Sequence, residues 1–586
     1  MQPRLAQRRD GEEFGGPRVR RLGIALLGGA LAAVLASLVM ALLRSTLQVR
    51  SVPERLLEWL LLLISPAQME AALQRFGFET KDYALQGVTL ATFVVLAALG
   101  ALVLSRGWSG WALLSLGLGL WLVLMLVVTP LSGAGVFATE LVEGTWPTIV
   151  GYLALALAYA GGLALTRLVL EIEPLGARHS VSSTEPATRR AVVLGLAGSL
   201  VAVGSTYALQ RVRPSGGLTA VKVVDSAEPE AVQTVGPTVV AEPSTPVAAP
   251  IPTGEPLPEP RPARALKRDK DGAILASGRR KGELTDLITQ NDDFYIVTKN
   301  AGGDPVVRPE TWRLRIDGEV GRAIELDYAS LRRLPAVEVT KTLECISNFA
   351  AKCELAPYGC DLISTAQWKG VRVADLLDLA GGARPDASFL GVVGADEYTS
   401  GLPMELALNP DTLLVYEMNG EVLPREHGYP ARLLVPGRYG MKDAKWVVAL
   451  RPQVPEFVDW YGQRSWSKEA VVKAMTRIDV PNPGASLAPG EYNIAGVAYT
   501  GERGLARVEF STDDGETWQP AELVEPPVGR DAWVRWISRF RLPPGAQLSL
   551  RARVIDGAGM PQAKDFSLPQ PDGSAGWPTV PVSTAT

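Results

Sequence analysis

The sequence of 586 residues is longer than one hydrophobic core usually supports, which predicts several domains. Its formal net charge is −4, so electrostatics give no reason to expect a nucleic-acid partner. Three cysteines cannot all pair within one chain, so at least one is free, bound to a metal or linked to another molecule.

Long apolar segments lie in the first 210 residues, and each approaches or exceeds the roughly 20 residues that cross a bilayer. The predicted spans are 22–43, 84–105, 108–130, 145–166 and 191–210, the last of them rich in Gly, Ala and Ser. The sequence therefore predicts an all-α membrane domain over 22–210. A membrane cytochrome needs paired axial ligands. Because both histidines, His179 and His427, lie outside the five spans, no haem is expected.

Basic residues set the expected orientation of these spans. The tail 1–21 contains six arginines, which favours a cytoplasmic N-terminus. Five crossings from that start predict a multi-pass plasma-membrane protein, in contact with lipid, whose residues after 210 are extracytoplasmic. The loop 44–83 would also lie outside, although it carries five basic residues. Its apolar segment 56–64 is too short to span and is expected at the membrane interface.

Two features accompany the passage from the membrane domain to the rest of the chain. Residues 188–194 read Thr-Arg-Arg-Ala-Val-Val-Leu, which resembles a twin-arginine export signal. The alternative is a pair of arginines that flank a span on the cytoplasmic side. The stretch 211–280 is rich in Pro without periodicity and predicts an extended linker.

The pattern becomes that of a globular domain with mixed α and β elements over 281–480. Residues 311–316 alternate as a half-buried strand does, and Asp317-Gly318 supplies a turn. Residues 326–334 and 373–379 have helical spacing. These short mixed elements predict an α+β domain.

The last region, 481–586, has short alternating strands. Segments 506–512 and 517–524 flank a four-residue loop and predict a hairpin, and segments 533–542 and 548–555 alternate in the same way. This spacing predicts an all-β, immunoglobulin-like sandwich.

The three cysteines follow a predicted strand. Cys345 could be a nucleophile, a metal ligand or a buried apolar residue. Cys353 and Cys360 could pair across a short loop if this part of the chain is exported. A zinc site of three cysteines is the remaining alternative, but spacings of eight and seven are not usual for zinc ligands.

A second cluster lies between residues 427 and 446. It contains one histidine and four cations among three glycines and two prolines. Cationic side chains supply charge-assisted donors and glycine lets backbone amides approach, so the cluster predicts a site for an anion such as a phosphate. The alternative is a solvated basic loop.

Several dispersed motifs resemble the molybdopterin domain of the sulfite oxidase family. The most specific are 416–430, from Tyr-Glu-Met-Asn-Gly to His-Gly-Tyr-Pro, and 435–446. The segments 294–300 and 363–368 match the same family in the same order. The stretch 510–518 resembles the family's C-terminal dimerisation domain, which implies a homodimer.

The resemblance implies a molybdenum–pyranopterin cofactor, with Cys345 as the third sulfur ligand beside two from the pterin. It implies that Tyr398, Arg464 and Lys299 act on the substrate. It also implies a set of side chains that grip the cofactor: Asn300, Asp396, His427, Arg432, Lys442 and Lys445.

The sequence departs from the family where the substrate anion would bind. Animal sulfite oxidases have consecutive arginines shortly after the metal cysteine, and here residues 349–352 read Phe-Ala-Ala-Lys. Lys299 stands where an arginine is expected, and lysine offers a point charge in place of a forked donor. No cytochrome b5-like segment is present, so electrons are expected to leave through a separate carrier such as a cytochrome c or a quinone.

Together these features predict a membrane-anchored, extracytoplasmic molybdenum oxidoreductase that transfers an oxygen atom on a small sulfur-containing substrate. Two alternatives remain open. One is a reductase of S-oxides on the same scaffold, and the other is a non-catalytic binding or scaffold protein.

Overall fold

The computed structural model describes residues 17–64, 68, 72, 75–76, 80–141, 144–169, 257–261, 282–355 and 358–584. The fifth predicted span 191–210, the twin-arginine segment 188–194, and most of the tail 1–21 and linker 211–280 lie outside these residues.

The N-terminal region is helical. Its helices are α1 Pro17–Thr46, α2 Val52–Leu60, α3 Thr80–Ser105, α4 Gly110–Val123 and α5 Thr145–Val169. Helix α4 continues through a π-helical turn, Leu124–Val128, into a last turn, Thr129–Leu131. In the described part of the chain four helices are long and apolar enough to cross a membrane, and they match the first four predicted spans: Leu22–Thr46, Thr80–Ser105, Gly110–Leu131 and Thr145–Leu168.

Small residues let α1 approach α3 closely. Ala25, Ala32 and Ala36 of α1 are buried, and a Cβ atom added to Gly29 would lie only 2.2 Å from the backbone oxygen of Ala97. Between apolar helices such close backbone contact provides van der Waals packing that larger side chains would prevent.

Helix α2 is amphipathic and links the helical region to the rest of the molecule. Its first turn is fixed by a capping box, in which the Ser51 hydroxyl accepts from the Glu54 amide and the Glu54 carboxylate accepts from the Ser51 amide. The segment 56–64, predicted at the membrane interface, forms the second half of this helix and the turns after it. The polar residues Arg55 and Glu58 of α2 face the β-rich region that follows.

Residues 282–453 contain two five-stranded sheets. The first has the order β2–β1–β10–β5–β6, and the second has the order β3–β4–β7–β8 with β9 paired to β7. The strands are β1 Arg313–Ile316, β2 Ile324–Asp327, β3 Val337–Glu344, β4 Ile363–Arg372, β5 Phe389–Gly394, β6 Thr399–Pro403, β7 Leu413–Met418, β8 Glu421–Val422, β9 Arg432–Leu434 and β10 Val447–Gln453. The helices are α6 Tyr328–Arg333, α7 Val373–Leu379 and α8 Met404–Ala407.

These elements follow the predicted pattern with small shifts. Helix α7 has the bounds that its spacing predicts, whereas α6 begins two residues later than predicted because residues 324–327 form β2. One hydrophobic core, which includes Trp312, Trp368 and Leu450, packs between the two sheets.

The C-terminal region has two further sheets that share one apolar core. Their orders are β11–β13–β17–β16 and β12–β19–β18–β14–β15. The strands are β11 Met475–Val480, β12 Ala485–Leu487, β13 Gly490–Tyr499, β14 Leu505–Ser511, β15 Gln519–Pro520, β16 Glu522–Leu523, β17 Val534–Leu542, β18 Gln547–Asp556 and β19 Thr579–Thr584. The immunoglobulin-like assignment stays a prediction.

The predicted hairpin of 506–512 and 517–524 forms only in part. Its second segment splits into β15, which pairs with β14, and β16, which pairs with β17 of the other sheet. The Ala521 amide still donates to the Val508 carbonyl oxygen at 2.9 Å, and β16 begins at the next residue. The strand therefore changes sheets at this point.

Cys353 and Cys360 are joined by a disulfide bond, as the sequence allowed. Cys345 is the free cysteine. The three cysteines therefore do not form a common zinc site.

We predict that Gly29→Leu destabilises the helical region by about 1–3 kcal/mol, because the new side chain would overlap the backbone of α3. Gly23→Leu is the matched control, since nothing lies within 4 Å of a Cβ atom at that position. Thermal unfolding in detergent measures the difference. Equal melting temperatures for the two variants would contradict the close packing of α1 on α3.

Candidate functional site

A cleft in the first part of the β-rich region collects most of the predicted site residues. With its open mouth included it holds about 720 Å³ of empty space. Seven of the ten predicted residues line it: Lys299, Cys345, Asp396, Tyr398, His427, Arg432 and Lys445. They come from the segment 294–300, the end of β3, the turn between β5 and β6, and the cluster 427–446.

Cys345 follows the last residue of β3, and its amide donates to the Leu362 oxygen at 2.9 Å. Burial raises the pKa of its thiol, while hydrogen bonds to Ser347 lower it. A buried thiol of this kind is mostly protonated at neutral pH and becomes a thiolate when a metal cation binds it.

Arg432 and Lys445 give the cleft its positive charge. Arg432 donates to the His427 carbonyl oxygen at 3.2 Å, and Lys445 donates to the Glu426 carbonyl oxygen at 2.9 Å. Burial lowers the pKa of both side chains. Within the described residues neither forms an ion pair with a carboxylate, and the buried Nε atom of Arg432 has no hydrogen-bond partner. This arrangement suits an anionic ligand.

His427 lies on the same wall of the cleft. Its Nε2 atom is 3.2 Å from the Asn291 carbonyl oxygen, and its ring packs edge to face on Phe294 at 5.2 Å between centroids. The neighbouring Gly428 adopts φ 115°, and a Cβ atom there would press on Lys445 and Arg432. Glycine at this position therefore lets the two cations lie side by side.

Asp396 and Tyr398 occupy the turn between β5 and β6. Asp396 accepts from the Tyr398 amide at 3.1 Å and from the Asn300 side chain at 3.0 Å. The Tyr398 hydroxyl donates to the Met441 carbonyl oxygen. Burial raises the pKa of this tyrosine well above its usual range, so it remains a neutral hydrogen-bond donor.

Three predicted residues do not line the cleft. Asn300 lies behind its wall, where it binds Asp396. Lys442 is turned away, since its buried ammonium pairs with Asp459 and donates to the Gly401 oxygen at 2.9 Å. Asp459 neutralises its charge, and its role as a cofactor ligand stays a prediction.

Arg464 also points elsewhere. Its guanidinium stacks on the Trp460 ring at 3.6 Å and donates to the Trp460 oxygen at 2.7 Å. Burial lowers its pKa to about 10. Its Nε atom has no hydrogen-bond partner in the described part of the chain. Arg464 thus remains available to an anion, but beside the cleft and not on its lining.

Helix α2 and the residues before it close one side of the site. Lys299 donates to Glu58 of α2 at 2.8 Å. Arg50 pairs with the same carboxylate, and it donates to Asn300 at 2.8 Å and to the Asp396 carbonyl oxygen at 2.7 Å. Burial alone would raise the pKa of Glu58, but Arg50 and Lys299 lower it below its usual range. The glutamate is therefore ionised and already neutralises Lys299.

A second ion pair fastens α2 to the turn after β5. Arg55 is fully buried and binds Glu397 through both terminal nitrogens, each at 3.1 Å. Its Nε atom donates to the Tyr152 hydroxyl at 3.0 Å. Glu397 has φ 60°, an uncommon conformation for a residue other than glycine. Because a buried pair is costly to break, this contact fixes the helical region against the site.

The sequence analysis missed the contribution of this loop. It recorded the basic residues of 44–83 only as an exception to the positive-inside rule, although that exception was a signal that the charges had other partners. It also missed Tyr295, Asp443 and Tyr461, which line the cleft. No spacing in the sequence links these residues to Cys345.

Comparison with known proteins matches the same regions. Residues 301–458 match the oxidoreductase molybdopterin binding domain, and residues 468–564 match the Mo-co oxidoreductase dimerisation domain. The sulfite oxidase of Gallus gallus is 34% identical over 312 residues, which cover 46% of this chain and 67% of that enzyme. The mitochondrial sulfite oxidase of Homo sapiens is 31% identical over 310 residues, which cover 46% of this chain and 56% of that enzyme.

Among solved structures, the sulfane dehydrogenase SoxCD from Paracoccus pantotrophus matches with 26% identity and a TM-score of 0.44, over 48% of this chain and 76% of that one. The alignments with the chicken and human sulfite oxidases each cover less than half of this chain. The matched family domains contain the cleft with Cys345, Arg432 and Lys445. By these matches the chain belongs to the sulfite oxidase family of molybdopterin-dependent oxidoreductases.

Proposed function

We propose that the cleft holds the molybdenum cofactor through Cys345 and oxidises a small sulfur-containing substrate by oxygen-atom transfer. The observation that carries the proposal is the juxtaposition of one free thiol with two buried cations in a cleft of this family. The non-catalytic alternative is less well supported, because the thiol and both cations are retained together.

The residues present fit the cofactor. Arg432 offers a buried N–H without a partner, which a phosphate oxygen would satisfy. Lys445 and His427 lie beside it and supply further donors to an anion. Cys345 is the soft ligand that molybdenum requires from the protein. When bound, the cofactor supplies two-electron oxygen-atom chemistry.

The chain's own residues orient the substrate and exclude water. Tyr398 stays protonated, and its O–H is donated to the Met441 carbonyl oxygen, so its oxygen can accept a hydrogen bond beside Cys345. Its ring packs against Trp460 and Tyr461, which cover this side of the cleft with aromatic surface. Lys299 presents a buried ammonium on the lining of the cleft, and Glu58 holds it in place.

One observation favours the second candidate, reduction of an S-oxide. Phe349, Ala350 and Ala351 are buried in the apolar interior and bring no charge to the cleft. The cationic Lys299 is already paired with Glu58. A doubly charged anion would therefore find less compensation here than at a site with several arginines, whereas a neutral sulfoxide would need none.

We further propose that the four apolar helices span the plasma membrane and that the catalytic domain is extracytoplasmic. The basic residues of loop 44–83 that oppose this topology are engaged in structure: Arg44 binds the Gly303 oxygen at 3.0 Å and Arg55 binds Glu397. Contacts at the ends of α1 and α2 hold the catalytic domain on one side of the helices. Arg167, near the end of α5, contacts Trp108 at the other side.

The proposed topology requires one further crossing between Leu168 and the catalytic domain, which the predicted span 191–210 would supply. The family's dimerisation domain supports a homodimer as a further proposal. A separate electron carrier completes the cycle in either direction of the reaction.

We predict that Arg432→Gln lowers molybdenum retention by about tenfold or more, because a phosphate would lose a buried charge-assisted donor worth about 1.5–3 kcal/mol. Arg438→Gln is the matched control, since Arg438 belongs to the same cluster but does not line the cleft. Metal content per chain, measured after purification by mass spectrometry, gives the readout. Equal loss in both variants would contradict a cofactor site around Arg432.

Steady-state assays decide the direction of the reaction. The wild type is expected to oxidise sulfite or a thioether with a soluble acceptor faster than it reduces sulfoxides with a reduced dye.

We also predict that Glu58→Gln lowers KM for sulfite by up to about tenfold, because Lys299 would no longer be neutralised by a carboxylate.

Two controls accompany the kinetic prediction. Glu54→Gln leaves Lys299 unchanged, since the Glu54 carboxylate pairs with Arg44 at 3.2 Å, so its KM should stay at the wild-type value. The KM for a neutral sulfoxide should not respond to Glu58→Gln. Sulfoxide reduction without any sulfite or thioether oxidation would establish the reductase in place of the leading proposal.

A further inference from the structure

A second cavity lies between the helical region and the catalytic domain. It is about twice the size of the first, with about 1390 Å³ of empty space when its open mouth is included. One part of its wall is apolar and comprises Leu57, Leu61, Ile64, Ala72, Phe76 and Ala84. The other end is polar and is formed by charged side chains around Lys299. Such an amphipathic cavity suits a ligand with a polar head and an apolar body.

The polar end adjoins the catalytic cleft. Lys299 lines both cavities, while Thr298 lines only the first and Asn300 only the second. Lys81, at the start of α3, lines the second cavity and donates to the Thr298 carbonyl oxygen. One backbone segment, 298–300, therefore separates a ligand in the second cavity from the cleft that contains Cys345.

The apolar end opens where the long helices begin. Phe76 is 49% exposed and Ile64 is 40% exposed. Both precede Thr80, the first residue of an apolar helix of bilayer length. If the helices span a membrane as proposed, this mouth lies at the level of the lipid interface, where a membrane-dissolved molecule can enter directly.

We propose that the second cavity binds an isoprenoid quinone, which exchanges electrons with the catalytic cleft across residues 298–300. This inference rests on the proposed oxidoreductase function and names its electron partner. The reaction balances without another carrier. The substrate gains one oxygen from water, and this step releases two electrons and two protons. The quinone takes up the two electrons and the two protons and becomes a quinol.

Lys299 and Glu58 lie where they can help the quinone to take up protons and can offset the charge that it gains. An ammonium has three N–H donors, and Glu58 accepts one of them at 2.8 Å, so Lys299 can also donate to a quinone carbonyl oxygen. Arg50 and Lys81 line the same end and favour the negative charge that develops on the ring during reduction.

The test uses the full-length protein in lipid nanodiscs, prepared without molybdate so that binding does not depend on the cofactor. A photoreactive azidoquinone is cross-linked and the labelled peptides are identified by mass spectrometry. We expect labels on residues 57–61 or 299–301 that excess unlabelled quinone removes. Leu61→Trp, which fills the apolar part, should reduce labelling by at least about tenfold, since overfilling excludes the ligand.

Leu63→Trp is the matched control, because Leu63 lies two residues away, is 64% exposed and does not line the cavity. The azidoquinone should label this variant to the same extent as the wild type. Labels confined to the lipid-facing sides of α3 and α4, or labelling that excess phospholipid removes as well as quinone does, would overturn the proposal. The wild-type labelling decides this even if Leu61→Trp fails to fold.

A second measurement separates this proposal from the function on which it rests. Molybdenum-loaded protein is given sulfur substrate and either ferricyanide or a short-chain quinone. Turnover with ferricyanide but none with quinone overturns the quinone site and leaves the proposed function intact. Specific labelling without turnover on any acceptor leaves the quinone site and overturns the proposed function.

Discussion

The buried ion pairs between α2 and the catalytic domain are the constraint on which the arrangement depends. Arg55 and Glu397 lie 342 positions apart in the sequence and bind each other through two hydrogen bonds. Arg50 and Glu58 extend the same network to Lys299. Arg55 has no exposed side-chain surface, and a charge buried to that degree is stable only while its partner is present. The helical region and the catalytic cleft are therefore parts of one structure.

This coupling explains two features that would otherwise be unrelated. The loop 44–83 carries charges that contradict the positive-inside rule, and the substrate side of the cleft lacks the arginines of animal sulfite oxidases. The structure connects these observations. Arg50 and Glu58 lie against the cleft, and the Glu58 carboxylate offsets the positive charge of Lys299. The same loop walls the apolar cavity behind residues 298–300. The helical region thus shapes both the entry of substrate and the proposed exit of electrons.

The sequence was sufficient for features with local signals. Apolar length indicated the four long helices that could cross a membrane, and helical spacing gave α7 its bounds. The motifs at 416–446 predicted that His427, Arg432 and Lys445 share one site with Cys345, and all four residues line the same cleft. Pairings between distant residues could not be predicted in this way. Lys442 has the same local appearance as Lys445, yet Asp459 neutralises it, and nothing in residues 44–64 indicates contact with residue 397.

The central claim is that the Cys345 sulfur binds molybdenum within this cleft. X-ray absorption at the molybdenum edge tests it most directly in wild-type protein and in Cys345→Ser. A pterin dithiolene supplies two sulfur neighbours, so three sulfurs are expected in the wild type and two in the variant. Equal sulfur coordination in the two proteins, or wild-type protein without molybdenum after cofactor-competent expression, would contradict the account.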